Sequence, residues 1–123
     1  MADRIAFDLV SPEKLLMSED CEMVVAPGEE GDFGVLPGHA PFLTTLRMGA
    51  IAIHEGGAVK QTVYVSGGFA EATPDRFTIL ATRAIASDAV DRGALNAERD
   101  ALGDGPAADQ NRAFIDMVLA AAA

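Results

Sequence analysis

The chain has 123 residues, half of them apolar, and a formal net charge of −10. That length suits one domain, or one domain with a small appendage, and the apolar share is enough to build a core, which excludes a disordered chain. The acidic balance repels phosphate backbones and anionic lipid, and no apolar run approaches the ~20 residues of a membrane helix, so nucleic-acid binding and lipid insertion are not expected.

Residues up to about Arg83 read as short strands. Ile5, Phe7 and Leu9 alternate with Ala6, Asp8 and Val10, the period of a strand with one wet face. Ser11-Pro12 breaks that strand. Leu15 to Met17 is expected as a short strand before a turn at Ser18-Glu19-Asp20. Cys21 to Ala26 is expected as a strand ended by Pro27-Gly28. Phe33 to Leu36 and Phe42 to Leu46 flank the turn around Pro37-Gly38. Ala50 to His54 alternates through Ile51 and Ile53, and Gly56-Gly57 makes a hairpin into Val59 to Val65. Gly68 to Ala72 and Arg76 to Thr82 form a further hairpin around Thr73-Pro74-Asp75. About nine short strands separated by turns indicate an antiparallel β-sandwich or flattened barrel. No helical pattern separates them, which excludes a parallel sheet with crossover helices. Phe7, Leu9, Val24, Ile51, Ile53, Val63, Val65 and Ile79 are expected inside.

The pattern changes after Ile85. Ser87 or Asp88 can cap a helix with Val90, Ala94, Ala97 and Ala101 on one face and Leu95 and Leu102 adjoining. Asp88 and Arg92 stand at i,i+4, and Gly93 costs this helix roughly 1 kcal/mol against Ala. Gly103-Asp104-Gly105-Pro106 is a break, and Ala107 to about Ala122 forms a second helix. Its stripe is Ile115, Val118, Leu119 and Ala122, with Phe114 at the edge, and Ala120 to Ala123 is expected to fray. The expected organisation is a β-sandwich domain over residues 1–86 and a short antiparallel helical hairpin over residues 87–123.

Reactive chemistry is sparse. Met1-Ala2-Asp3-Arg4 has no basic start and no apolar run, so no signal peptide is expected. The lone Cys21 excludes an intramolecular disulfide, fits a reducing compartment, and reads as a buried structural thiol. His39 and His54 are the only histidines, and their spacing matches no metal motif. Gly56-Gly57 and Gly67-Gly68 are not followed by Gly-Lys-Ser/Thr and are not phosphate loops. Ser66 lacks the strand-turn-helix setting of a nucleophile elbow. A sandwich with no reactive cluster reads as a protein that binds other proteins. No catalytic residue, metal or cofactor is expected.

Two stretches go further. Glu30 to Gly49, EGDFGVLPGHAPFLTTLRMG, mixes Gly and Pro with apolar residues and reads as a shaped turn region. Val65 to Glu71, VSGGFAE, follows it. Together they resemble the epsilon subunit of F-type ATP synthases, called delta in mitochondria, from about Arg4 to Arg83. The resemblance implies an N-terminal β-sandwich, a C-terminal helical hairpin and a non-catalytic place in the rotating central stalk. It implies the gamma subunit and the polar loops of the c-ring as partners, and the alpha/beta head as one reached through the tail. Proton-driven rotation would thus be coupled to ATP synthesis from the cytoplasmic face of a bacterial inner membrane; Met1 and the lack of a transit peptide favour that source. Asp32 and His39 stand at c-ring contact positions, with Asp32 where many members carry Glu. Ser11 and Thr44 align with gamma-interface positions, and Met48 adjoins them. The rival readings are a sandwich adaptor of another complex and a small metal-dependent or ligand-binding barrel.

The tail departs from the family. Many bacterial members bind ATP through Ile or Leu, Asp, two variable residues, Arg and Ala. The matching run here is Val90-Asp91-Arg92-Gly93-Ala94-Leu95. Arg92 is displaced by two places, about 200° around a helix. Arg92, Arg99 and Arg112 are the cations after Ser87, against seven acidic residues. Tight ATP binding and strong inhibition by the tail are therefore not expected.

Overall fold

The computed structural model describes residues 4–122, so Met1–Asp3 and Ala123 of the expectations above lie outside the described residues. Ten strands precede two helices. They are β1 (Ile5–Val10), β2 (Leu15–Cys21), β3 (Met23–Gly28), β4 (Gly31–Val35), β5 (Phe42–Leu46), β6 (Gly49–Glu55), β7 (Ala58–Val65), β8 (Gly68–Ala72), β9 (Arg76–Ala81) and β10 (Ala84–Ala86). A 3-10 turn at Ser87–Ala89 leads to α1 (Arg92–Ala101) and α2 (Pro106–Ala121). The strands form one hydrogen-bonded path, β10-β7-β6-β3-β5-β8-β9-β1-β2, with β4 added to β3. This path folds over itself around one core. All eight residues expected inside are no more than 2 % exposed. The hairpin between β6 and β7 turns on Gly56 and Gly57, both at positive φ (64° and 78°), as such a tight turn demands.

The structure corrects several local expectations. β2 does not turn at Ser18-Glu19-Asp20 but continues to Cys21, these three pairing with Asp8, Phe7 and Ala6. Long-range partners explain it. Ser18 Oγ donates to Asp8 Oδ1 at 2.7 Å, and Lys60 Nζ meets Glu19 Oε1 at 3.4 Å. Polar side chains paired on the two sides of this edge strand outweigh local turn preference. Cys21 ends β2 instead of opening β3, and Pro27 lies inside β3. Pro27 is tolerated because the pairing of β3 with β6 covers Met23, Val24 and Val25 and stops before Pro27, so no ladder bond to β6 is lost there. One pair, β1 with β9, is parallel, against the antiparallel expectation. A parallel pair needs a long connection, and the intervening strands supply it without a crossover helix. β10 was not foreseen; it pairs with β7 over three residues.

The helices are corrected too. α1 begins at Arg92, not at Ser87 or Asp88, and Asp91 is its cap, accepting from Ala94 N–H at 3.0 Å. Arg92 donates to the Leu119 carbonyl at 3.0 Å instead of pairing with Asp88 along a helix. The covered face of α1 is Leu95, Glu98 and Leu102, while Ala94, Ala97 and Ala101 are exposed. Leu buries more apolar area than Ala, so Leu decides which way the helix rolls. Phe114 is not at the edge of the α2 stripe. It is fully buried with Ile115 and Val118. These three join Leu95 and Tyr64 in a second cluster, to which Met48 and Ile85 are added. The hairpin therefore lies on the outer face of β7 and β10. Val63 and Val65 point into the sandwich, and Tyr64 between them points out under the helices.

Candidate functional site

One end of the sandwich gathers the turn between β3 and β4, the 37–41 turn, and the first half of β5. Backbone bonds fix these segments. Gly38 N–H donates to Pro74 O at 2.6 Å, His39 N–H to Leu36 O at 3.2 Å, and Glu29 N–H to Thr45 O at 3.1 Å. Between them lies an open groove of about 570 Å³ bordered by Glu29, Glu30, Asp32, Phe33, His39, Phe42 and Thr44. Asp32 is exposed, and its carboxylate accepts from Arg47 at 2.6 Å. His39 Nδ1 stands 2.6 Å from the Ala40 carbonyl. A carbonyl only accepts, so Nδ1 carries the proton and Nε2 is left for a partner. The His39 ring packs edge-on to Phe42 at 5.0 Å, Phe42 to Phe33 at 5.3 Å, and Phe33 to the buried Phe77 at 6.1 Å. This aromatic chain anchors the polar rim in the core, so the groove presents its side chains on a firm base.

The structure thus brings Asp32, His39 and Thr44 into one groove. Thr44 belongs to the inward side of β5, with Phe42 and Leu46, and its hydroxyl donates to Thr45 O at 3.4 Å. Ser11 lies elsewhere, in a cleft with Pro12, Glu13, Leu16, Thr82 and Arg83, its hydroxyl donating to Lys14 O at 3.3 Å. Met48 follows β5 and packs against the cluster under the helical hairpin. The three residues expected to meet gamma do not share one patch.

Sequence reading overlooked two features. Arg47 faces Asp32 across 15 positions in sequence, which no local pattern reveals. Leu43, Phe69 and Leu80 are large, apolar and 71 %, 55 % and 44 % exposed, on the outer face of β5, β8 and β9. Phe69 pairs with Thr45 on one side and Leu80 on the other. Alternation held the signal: with Leu46 inside, Leu43 must point out.

Among the described residues no three His, Cys, Asp or Glu side chains are placed to hold a metal ion, and no helix is long and apolar enough to cross a membrane. Cys21 is fully buried, and desolvation pushes its thiol up to about 11. A rigid sandwich with a polar groove at one end, a bare apolar face and a docked helical hairpin defines a protein-recognition module.

Its residues 4–87 match the family described as ATP synthase, Delta/Epsilon chain, beta-sandwich domain, and the chain belongs to that family. It is 58 % identical over 85 residues to the ATP synthase epsilon chain of Paramagnetospirillum magneticum, covering 69 % of this chain and 64 % of that one, just under two thirds of its length. It is 49 % identical over 104 residues to the epsilon chain of Rhodospirillum rubrum, covering 85 % and 78 %. The same fold occurs in the Euglena gracilis mitochondrial ATP synthase, solved as OSCP/F1/c-ring, with a TM-score of 0.68 at 22 % identity over 97 % of this chain and 77 % of that one.

Proposed function

We propose that this chain is the epsilon-type subunit of the central stalk of a bacterial F-type ATP synthase. It performs no chemistry. It joins the gamma subunit to the c-ring and passes on rotation as a stiff body, peripheral to the cytoplasmic face of the inner membrane. Residues 1–86 serve as the rotor-binding unit, and residues 87–123 form a tail facing the alpha/beta head.

The observation that carries this reading is the bare apolar face Leu43-Phe69-Leu80 on a sheet that also ends in a polar groove. Large exposed apolar side chains grouped on one face mark a protein partner. A bridging subunit needs two such surfaces, and a face and an end of one rigid sandwich supply them. Gamma takes the apolar face. That face spans β5, β8 and β9 and borders β1, which leads to Ser11; Thr44 lies on the opposite, inward side of β5. Polar c-ring loops take the groove, where Asp32 and His39 offer a carboxylate and a free ring nitrogen.

Two variants of the whole subunit test the two surfaces separately. Phe69→Asp should abolish co-purification with gamma, because a buried aromatic anchor contributes about 2 kcal/mol or more and a buried charge costs further. Asp32→Ala with His39→Ala should weaken attachment to membranes stripped of the catalytic head while gamma binding persists, each polar contact contributing about 0.2–1 kcal/mol. Gamma binding unchanged by Phe69→Asp would refute the assignment of the face.

A further inference from the structure

On the reading of the groove as the c-ring contact, we propose that Arg47 is its positioning residue: the guanidinium holds the Asp32 carboxylate at the rim and so sets where the groove offers negative charge to the ring. Both partners stand beside Pro27. Asp32 pairs with Pro27 across the β3–β4 ladder. Arg47 follows β5, and its N–H donates to Pro27 O at 2.9 Å. Leu46, just before it, pairs with Gly28. The side chain then returns past the proline, and Nη2 donates to Asp32 Oδ1 at 2.6 Å. A Cβ added at Gly49 would lie 2.8 Å from Pro27 Cβ and 3.4 Å from Arg47 Nη1, so the bare glycine leaves room for the ring and the guanidinium on one side. Pro27 has no N–H to give to β4, and the ion pair ties the end of β5 to β4 at that place.

Charge gives the contact its purpose. Glu29, Glu30 and Asp32 all border the groove, and like charges so close together repel one another. Without a cation beside it, the Asp32 carboxylate would swing away from its two neighbours. Among the described residues, Arg47 is the one side chain hydrogen-bonded to Asp32. The pair is exposed, 44 % at Arg47 and 63 % at Asp32, so it adds little to the stability of the sandwich. Its effect is directional. The backbone on both sides of the pair is fixed by β-ladder and turn hydrogen bonds, and only Oδ1 is engaged. Oδ2 is left for a partner, aimed from a held carboxylate.

A double-mutant cycle on the full chain tests it, with Arg47→Met, Asp32→Asn and the two together. Attachment to membranes stripped of the catalytic head is measured, with hydrogen exchange of the free subunit alongside. Arg47→Met should weaken attachment about two- to fivefold, and should have no further effect once Asp32→Asn is in place. Arg47→Lys should restore most of the loss. In the free subunit, the amides of Gly31 and Asp32 should exchange faster in Arg47→Met by about the same factor, while those of β6 and β7 keep their wild-type protection. An equal loss of attachment from Arg47→Met with and without Asp32→Asn overturns the proposal and makes Arg47 a contact in its own right. Unchanged exchange at Gly31 and Asp32 overturns it too, and so does faster exchange over the whole sandwich. Attachment unmoved by Asp32→Asn refutes the c-ring assignment instead, and the positioning of Asp32 then stands or falls by the exchange alone.

Discussion

Replacing Gly68 with Ala should damage the sandwich more than any comparable change in a turn. Gly68 opens β8 at φ +147°, a conformation that side-chain-bearing residues rarely adopt. A Cβ there would lie 2.1 Å from the Leu80 carbonyl oxygen and 3.0 Å from Ala81 Cα. Those atoms are backbone of β9, paired with Gly68 itself, and the other neighbour is Leu46 of β5. Leu46 and Ala81 belong to the core, so neither strand can step aside freely. Backbone strain of about 1–3 kcal/mol and forced displacement of about 1–3 kcal/mol sum to about 2–6 kcal/mol. That is a large share of the ~5–15 kcal/mol that holds a typical domain. Gly57→Ala is the control. Gly57 also has positive φ, +78°, but nothing lies within 4 Å of its added Cβ. It should cost only the backbone term, about 1–2 kcal/mol. Urea titrations of both variants, followed by far-ultraviolet circular dichroism, give the comparison at equal slope. If Gly68→Ala proves no more destabilising than Gly57→Ala, the argument from close approach is wrong.

Two further outcomes follow from the burial and charge of single groups. Cys21, with its thiol pushed up to about 11, should react with a disulfide reagent at neutral pH only as fast as the protein unfolds, and at the free-thiol rate in urea; fast reaction in the native state would contradict its burial. The Glu98 carboxyl is held below its ordinary 4.5, first by the hydrogen bonds from Arg83. Its contribution is fully present above 4.5 and is lost as pH falls through the lower folded value, so docking of the hairpin should weaken in acid. Tyr64 is the only tyrosine, the chain has no tryptophan, and its ring lies under the hairpin. Tyrosine fluorescence against pH therefore reads docking directly, and Glu98→Gln should remove the acid-side change that this group causes.

Much of the sandwich was legible because alternation is a local signal. A strand with one covered face must place every second residue inside, and Phe7 and Leu9, Ile51 and Ile53, and Val63 and Val65 all obey it. The paired glycines at 56 and 57 and the Gly-Pro break at 105 and 106 were equally local, because backbone dihedrals restrict which residues can stand there. Within the candidate site, resemblance pointed to Asp32 and His39, and the fold set both in one groove with Thr44. What failed depended on distant partners. Ser18 to Asp20 read as a turn until Asp8 and Lys60 were found beside them. The Ala face of α1 looked regular, yet Leu95 and Glu98 set its orientation, because Tyr64 and Arg83 waited on the sheet. Phe114 seemed marginal to its stripe until that sheet covered it. Sequence determined most of the strands, the glycine turns and the helical hairpin, since those preferences act over a few bonds. Only the tertiary structure decided which apolar face is covered, which is left bare at Leu43, Phe69 and Leu80, and which cation meets which carboxylate. Burial and ion pairing are properties of surfaces brought together by chain closure, and no short window of sequence contains both partners.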